Sequence, residues 1–129
     1  MDKLSHLLNE IEIDEIVSIN ENIKEETDVN EKIELLESLD IEDSIIRNII
    51  KSNPFFLTRT TNDLKELITR LKKIGIIEFD TMFDTYPYLL NKNSYEIDEF
   101  LKANRDKTDE DIKEILESRP YEIDEINEI

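Results

Sequence analysis

The placement of three prolines constrains this chain more than any other feature of its sequence. They are Pro54, Pro87 and Pro120, and consecutive ones stand 33 residues apart. Proline has no amide hydrogen and its ring clashes with the turn before it, so each one closes a helix and sends the chain round a corner. The apolar residues keep step with that spacing. Eight, five and four residues before each proline stand Ile46, Ile49 and Ile50, then Phe79, Met82 and Phe83, then Ile112, Ile115 and Leu116. Offsets of i, i+3 and i+4 define one helical face.

After each proline the pattern resumes. The next residue is aromatic, Phe55, Tyr88 or Tyr121, and the third is aliphatic, Leu57, Leu90 or Ile123. Both sets are expected to plug the corners. A second helical face follows, with Leu64, Leu67 and Ile68 in one copy and Ile97, Phe100 and Leu101 in the next. Thr60 with Asp63, Asn93 with Glu96, and Thr108 with Asp111 have the spacing of helix N-terminal capping pairs. Gly75, the single glycine, follows "ELITRLKKI", where a C-terminal cap belongs.

These signals predict an all-α fold, a short, solenoid-like helical-repeat array of proline-hinged helix pairs with a 33-residue period. A length of 129 residues suits one domain. Its expected divisions are a degenerate acidic N-terminal repeat over 1–37, a basic repeat over 38–75, a second over 76–108 and a partial third over 109–129. In the first of these, Ile13, Ile16 and Val17 keep the first-helix spacing, but Glu21 takes the proline's place.

The segment "IIRNIIKSNPFFLTRTTNDLKELITRLKKIGIIEFDTMFDTYPYLL" resembles repeats of the mitochondrial transcription termination factor (mTERF) family. In those, "I…I…P.LL" is followed by "L…I..L...GI". The likeness covers about residues 41–123, through Pro54, Leu57, Leu64, Leu67, Leu71, Gly75, Ile76, Pro87, Leu89 and Leu90. The resemblance implies a curved, non-enzymatic helical solenoid whose larger members hold nucleic acid on a basic concave face.

Charge points elsewhere. The chain carries −17 overall. Residues 1–43 hold 3 basic and 15 acidic residues, residues 44–75 hold 7 and 2, and residues 76–129 hold 6 and 16. A basic middle lies between acidic ends. Arg47, Lys51, Lys65, Arg70, Lys72 and Lys73 are the candidate anion-binding residues. The field of the whole molecule repels a polyanion, so direct nucleic-acid binding is not expected. Glu31, Glu34 and Glu37, and likewise Glu110, Glu114 and Glu117, form rows along helix faces. Neighbours in such rows lie roughly 5–6 Å apart, close to the phosphate spacing of a nucleic-acid strand.

No catalytic set is visible. His6 is the only histidine and has no nucleophile at a triad spacing, the carboxylate pairs are too many for one to stand out, and one glycine cannot build a phosphate loop. Neither a metal nor a cofactor is expected. The N-terminus "MDKLSHLLNEIEID" lacks the layout of a signal peptide, and no run approaches the ~18 apolar residues of a membrane span. Without cysteine there is no disulfide framework. The reading is a soluble, cytoplasmic, non-catalytic binding module that engages another protein. Its alternatives are an acidic nucleic-acid mimic and an mTERF-like nucleic-acid binder using the basic middle.

Overall fold

The computed structural model describes residues 2–25 and 28–128, which fold into helices joined by short turns. The α-helices are α1 (Asp2–Leu7), α2 (Glu10–Ile19), α3 (Asn22–Glu25), α4 (Val29–Glu37), α5 (Asp43–Ser52), α6 (Thr61–Ile74), α7 (Phe79–Thr85), α8 (Ser94–Ala103) and α9 (Asp109–Ser118). Three 3-10 segments, Pro54–Thr58, Pro87–Asn91 and Pro120–Glu128, form corners one, two and three. No strand occurs among the described residues.

The helices lie in two layers. One contains α2, α5, α7 and α9; α5 packs on α7 and α7 on α9, while ion pairs from Arg47 and Lys51 to Glu12 join α5 to α2. The other runs α1, α4, α6 and α8, each against the next. A corner carries the chain from the first layer to the second. α3 does this where Glu21 stands in place of proline, and it packs on corner one. Each corner starts at its proline, but α5, α7 and α9 start at Asp43, Phe79 and Asp109, 36 and then 30 residues apart. The spacing belongs to the corners, not to the helix lengths.

Apolar faces read from the sequence are buried. Ile46, Ile49, Ile50, Met82, Phe83 and Leu116 are sealed from solvent, as are Leu67, Leu71 and Ile97 in the other layer. Thr60 and Thr108 each cap a helix by accepting from the amide three residues on, and Asn93 with Glu96 forms a reciprocal capping box. Gly75 ends α6 at φ 104°, in the left-handed region that glycine alone enters without strain.

The corners correct one expectation. Leu57 and Leu90 are fully buried and Ile123 nearly so, but the aromatics directly after the prolines point outward: Phe55 is 42% exposed, Tyr88 49% and Tyr121 46%. A 3-10 turn repeats every three residues. The proline and the aliphatic residue three further on therefore share the inner face, and the residue after the proline points away. The inner plug beside the aliphatic residue is the second residue on, Phe56 or Leu89.

Adjacent corners are tied by polar contacts. Asn53, fully buried, donates to the carbonyl of Pro87 and to Asn91 Oδ1 at 3.0 and 3.1 Å. One step along, the Tyr86 hydroxyl donates to Asp124, which also receives Lys92. Burial and the bond to Asp124 push Tyr86 up to about 12. For Asp124, burial works upward but is outweighed by the bonds from Lys92 and Tyr86, leaving its carboxyl below the usual range. Cationic side chains reach the corner backbone itself. Lys32, 1% exposed, donates to Leu57 O at 2.6 Å and pairs with Asp28 at 3.0 Å. Arg59 donates to the carbonyls of Leu90 and Lys92.

Two outcomes follow for stability. Leu57→Ala or Leu90→Ala should cost about 2–5 kcal/mol, the usual loss at a buried leucine, whereas Phe55→Ala should stay within about 0.5 kcal/mol; urea unfolding of the three variants checks this. Above the ordinary tyrosine value, the unfolded chain ionises at position 86 before the folded one does, so stability should fall as pH rises from 10 toward about 12. Tyr86→Phe should flatten that alkaline decline relative to wild type.

Candidate binding surfaces

The six basic candidates do not form one patch. Arg47 and Lys51 stand one turn apart on α5 and both close on Glu12 of α2, Lys51 at 2.9 Å. Glu12 is already fixed by its own helix start: its side chain accepts from the Asn9 amide while Asn9 Oδ1 accepts from the Glu12 amide, a reciprocal capping box. The bond from Lys51, the one from Asn9 and the nearby Arg47 charge hold the Glu12 carboxyl below the usual carboxylate range, against a smaller opposing effect of burial. A carboxylate from the acidic N-terminal segment thus neutralises the start of the basic middle.

The remaining four lie on α6. Lys65, Arg70 and Lys73 line an open groove of about 450 Å³ together with Asn62, Glu66, Thr69 and Ser94. Arg70 also reaches Asp98 of α8 at 3.5 Å. Lys72 is exposed in the last turn, where a cation suits the negative end of the helix dipole.

Glu110, Glu114 and Glu117 do share a groove. It holds about 360 Å³ between α7 and α9 and is completed by Glu78, Thr81, Lys113 and Ser118. Their states differ. Glu117 Oε2 accepts the amides of Ile77 and Glu78, both at 2.9 Å, and so caps α7, whose N-cap residue Glu78 makes no side-chain cap of its own. Glu110 and Glu114 are exposed to solvent. In the other acidic row Glu37 pairs with Lys3 at 2.9 Å, while Glu31 and Glu34 are exposed.

Sequence reasoning missed Glu12, Lys32, Arg59 and Glu117 as tertiary partners. Each acts across 25 to 40 residues of chain, and no local pattern marks such a contact. Arg59 is the exception in part, since Lys92 stands 33 residues after it and also binds the next corner. His6 is solvent-exposed with Asp43 at 3.7 Å. Among the described residues no group of three or more His, Asp or Glu could hold a metal, and no described helix is long and apolar enough to cross a membrane.

Proline-started corners, two helical layers and the "GI" that ends α6 are the features on which the chain can be compared with known families. A family model described as mTERF matches residues 2–120. The chain belongs to the mTERF family. The match reaches past the proline-marked units into α1 to α4, so the mTERF pattern includes the unit whose corner has Glu21 in place of proline. No curated protein and no solved structure matches the chain.

The Glu12 contacts carry a pH signature. A carboxyl held low in the folded chain supplies stability above its unfolded value and loses it as pH falls through the folded one. Glu12→Gln should therefore lower the urea midpoint at neutral pH, and the gap from wild type should close as the pH is lowered through the carboxylate range. A gap that stays constant with pH would show that the ion pairs contribute nothing.

Proposed function

We propose that this mTERF-family chain is a non-catalytic binding module whose partner is a protein with a basic surface. The observation that carries the reading is that half of the six basic candidates are engaged internally: Arg47 and Lys51 with Glu12, and Arg70 with Asp98. The chain as a whole carries −17. Glu110 and Glu114 stand open in the α7–α9 groove, beside the carboxylate of Glu117. Complementary charge steers such a partner in and repels polyanions. A stacked helical array offers the extended surface that protein binding uses. The acidic nucleic-acid mimic is a special case, in which the partner's basic surface is itself a nucleic-acid site. The cysteine-free composition supports a cytoplasmic setting.

Membership of the mTERF family favours a second reading, nucleic-acid binding along α6 through Lys65, Arg70 and Lys73. The readings separate in one set of measurements. Wild-type chain and a Glu110→Lys/Glu114→Lys variant are used as bait in nuclease-treated extract of the source cells, and binding of labelled duplex DNA is followed by anisotropy at about 150 mM salt, where charges act over about 8 Å. The expected result is a discrete basic protein retained by wild type and lost by the variant, with no DNA binding. Micromolar DNA binding that falls steeply with salt and disappears in Lys65→Glu/Lys73→Glu would overturn the proposal and establish the second reading.

A further inference from the structure

Phe55, Tyr88 and Tyr121 occupy the same place in three successive corners, directly after the proline, and each shows between 42% and 49% of its surface to solvent. The corners are held in sequence by the Asn53 and Tyr86 contacts, so the rings form a row along one edge of the array. Stacked helical units stand roughly 8–10 Å apart, which sets the pitch of the row. Tyr86 thickens it, its ring meeting Tyr88 nearly edge-on at 6.1 Å. Isolated exposed aromatics are ordinary, but a regular row of them is not.

The basic residues that flank these corners in sequence are already engaged. Lys51 pairs with Glu12, Arg59 with two corner carbonyls, Lys92 with Asp124 and Arg119 with Glu122. That leaves little to hold phosphates, and the −17 charge favours a cationic occupant. Pitch selects its conformation. Same-face residues of a β-strand recur at about 6.7 Å and an α-helix turns in about 5.4 Å, both too short. A polyproline II helix turns once in three residues, roughly 9.3 Å, and matches the row. Such helices dock on aromatic surfaces because they are already ordered, and cationic side chains gain further from ring faces.

We propose that Phe55, Tyr88 and Tyr121 form a docking edge for a cationic, proline-rich segment in the polyproline II conformation, one turn of ligand per corner. The proposal rests on the protein-partner reading for the sign of the ligand's charge, and on the corner geometry for everything else.

The test uses the full chain and three labelled probes: a peptide of four Arg-Pro-Pro repeats, a peptide of four Arg-Gly-Gly repeats with the same charge, and an oligothymidylate. The Arg-Pro-Pro peptide should bind in the micromolar range and the other two at least about tenfold more weakly, as expected when preorganised aromatic contacts dominate. Tyr88→Ala should weaken it by about tenfold, a central anchor's usual share, and the triple variant with Phe55→Ala and Tyr121→Ala should abolish binding. The urea midpoint should stay unchanged because the rings are exposed. Equal binding of both peptides, lost in Glu110→Lys/Glu114→Lys but not in the ring variants, would overturn this proposal while leaving the basic-partner reading intact. Oligothymidylate binding lost in the ring variants would overturn both. No binding of the Arg-Pro-Pro peptide overturns the docking edge alone.

Discussion

Ending a helix at a proline leaves carbonyl groups without partners, and the way this chain satisfies them holds the array together. The ladder of α5 stops at Asn53, whose backbone leaves helical geometry ahead of Pro54. The 3-10 corner that follows turns buried carbonyls toward the neighbouring unit. A buried acceptor without a donor costs about 1–3 kcal/mol. Lys32 supplies the donor for Leu57 O, and Arg59 supplies it for Leu90 O. Leu57 and Leu90 are equivalent residues of successive corners, and in both the carbonyl is completed by a cation from the unit before it. Units linked in this way cannot slide past one another without exposing these acceptors.

The same stacking weakens the charge pattern that the chain shows along its length. Acidic and basic segments that are separate in sequence are brought together by stacking: Glu12 meets Arg47 and Lys51, and Asp98 meets Arg70. Ion pairs at exposed positions are worth little individually. Their larger consequence is electrostatic. They reduce the local positive field of the middle segment, whose remaining cations Lys65, Lys72 and Lys73 lie together on α6, and the surplus acids dominate the potential elsewhere.

What was legible in the sequence was whatever repeats locally. Prolines fixed where corners begin, i, i+3 and i+4 spacing identified buried faces, and Thr60, Asn93, Thr108 and Gly75 marked helix ends because capping depends on residues at most a turn apart. The exposure of Phe55, Tyr88 and Tyr121 was hidden because an aromatic beside a proline looks like a plug until the three-residue period of the turn is known. Glu117 was hidden for another reason. On its own helix it continues a solvated row with Glu110 and Glu114, and only the packing of α9 on α7 turns it into the cap of a helix about forty residues earlier. Which helix faces adjoin, and so which basic candidates meet a carboxylate, is a tertiary fact.

Corner and helix are therefore under different physical constraints. α6 has 14 residues and α8 has 10, yet corners one and two both run five residues from their prolines. The extra length of α6 ends in the turn that carries Lys72 and Lys73. A change within a corner would move a buried leucine, a carbonyl and the cation that serves it together. The exposed residue after each proline is the one corner position released from that coupling. It lies outside the carbonyl network and leaves nearly half of its surface in solvent, so the stability of the fold alone does not account for its aromatic character at all three corners.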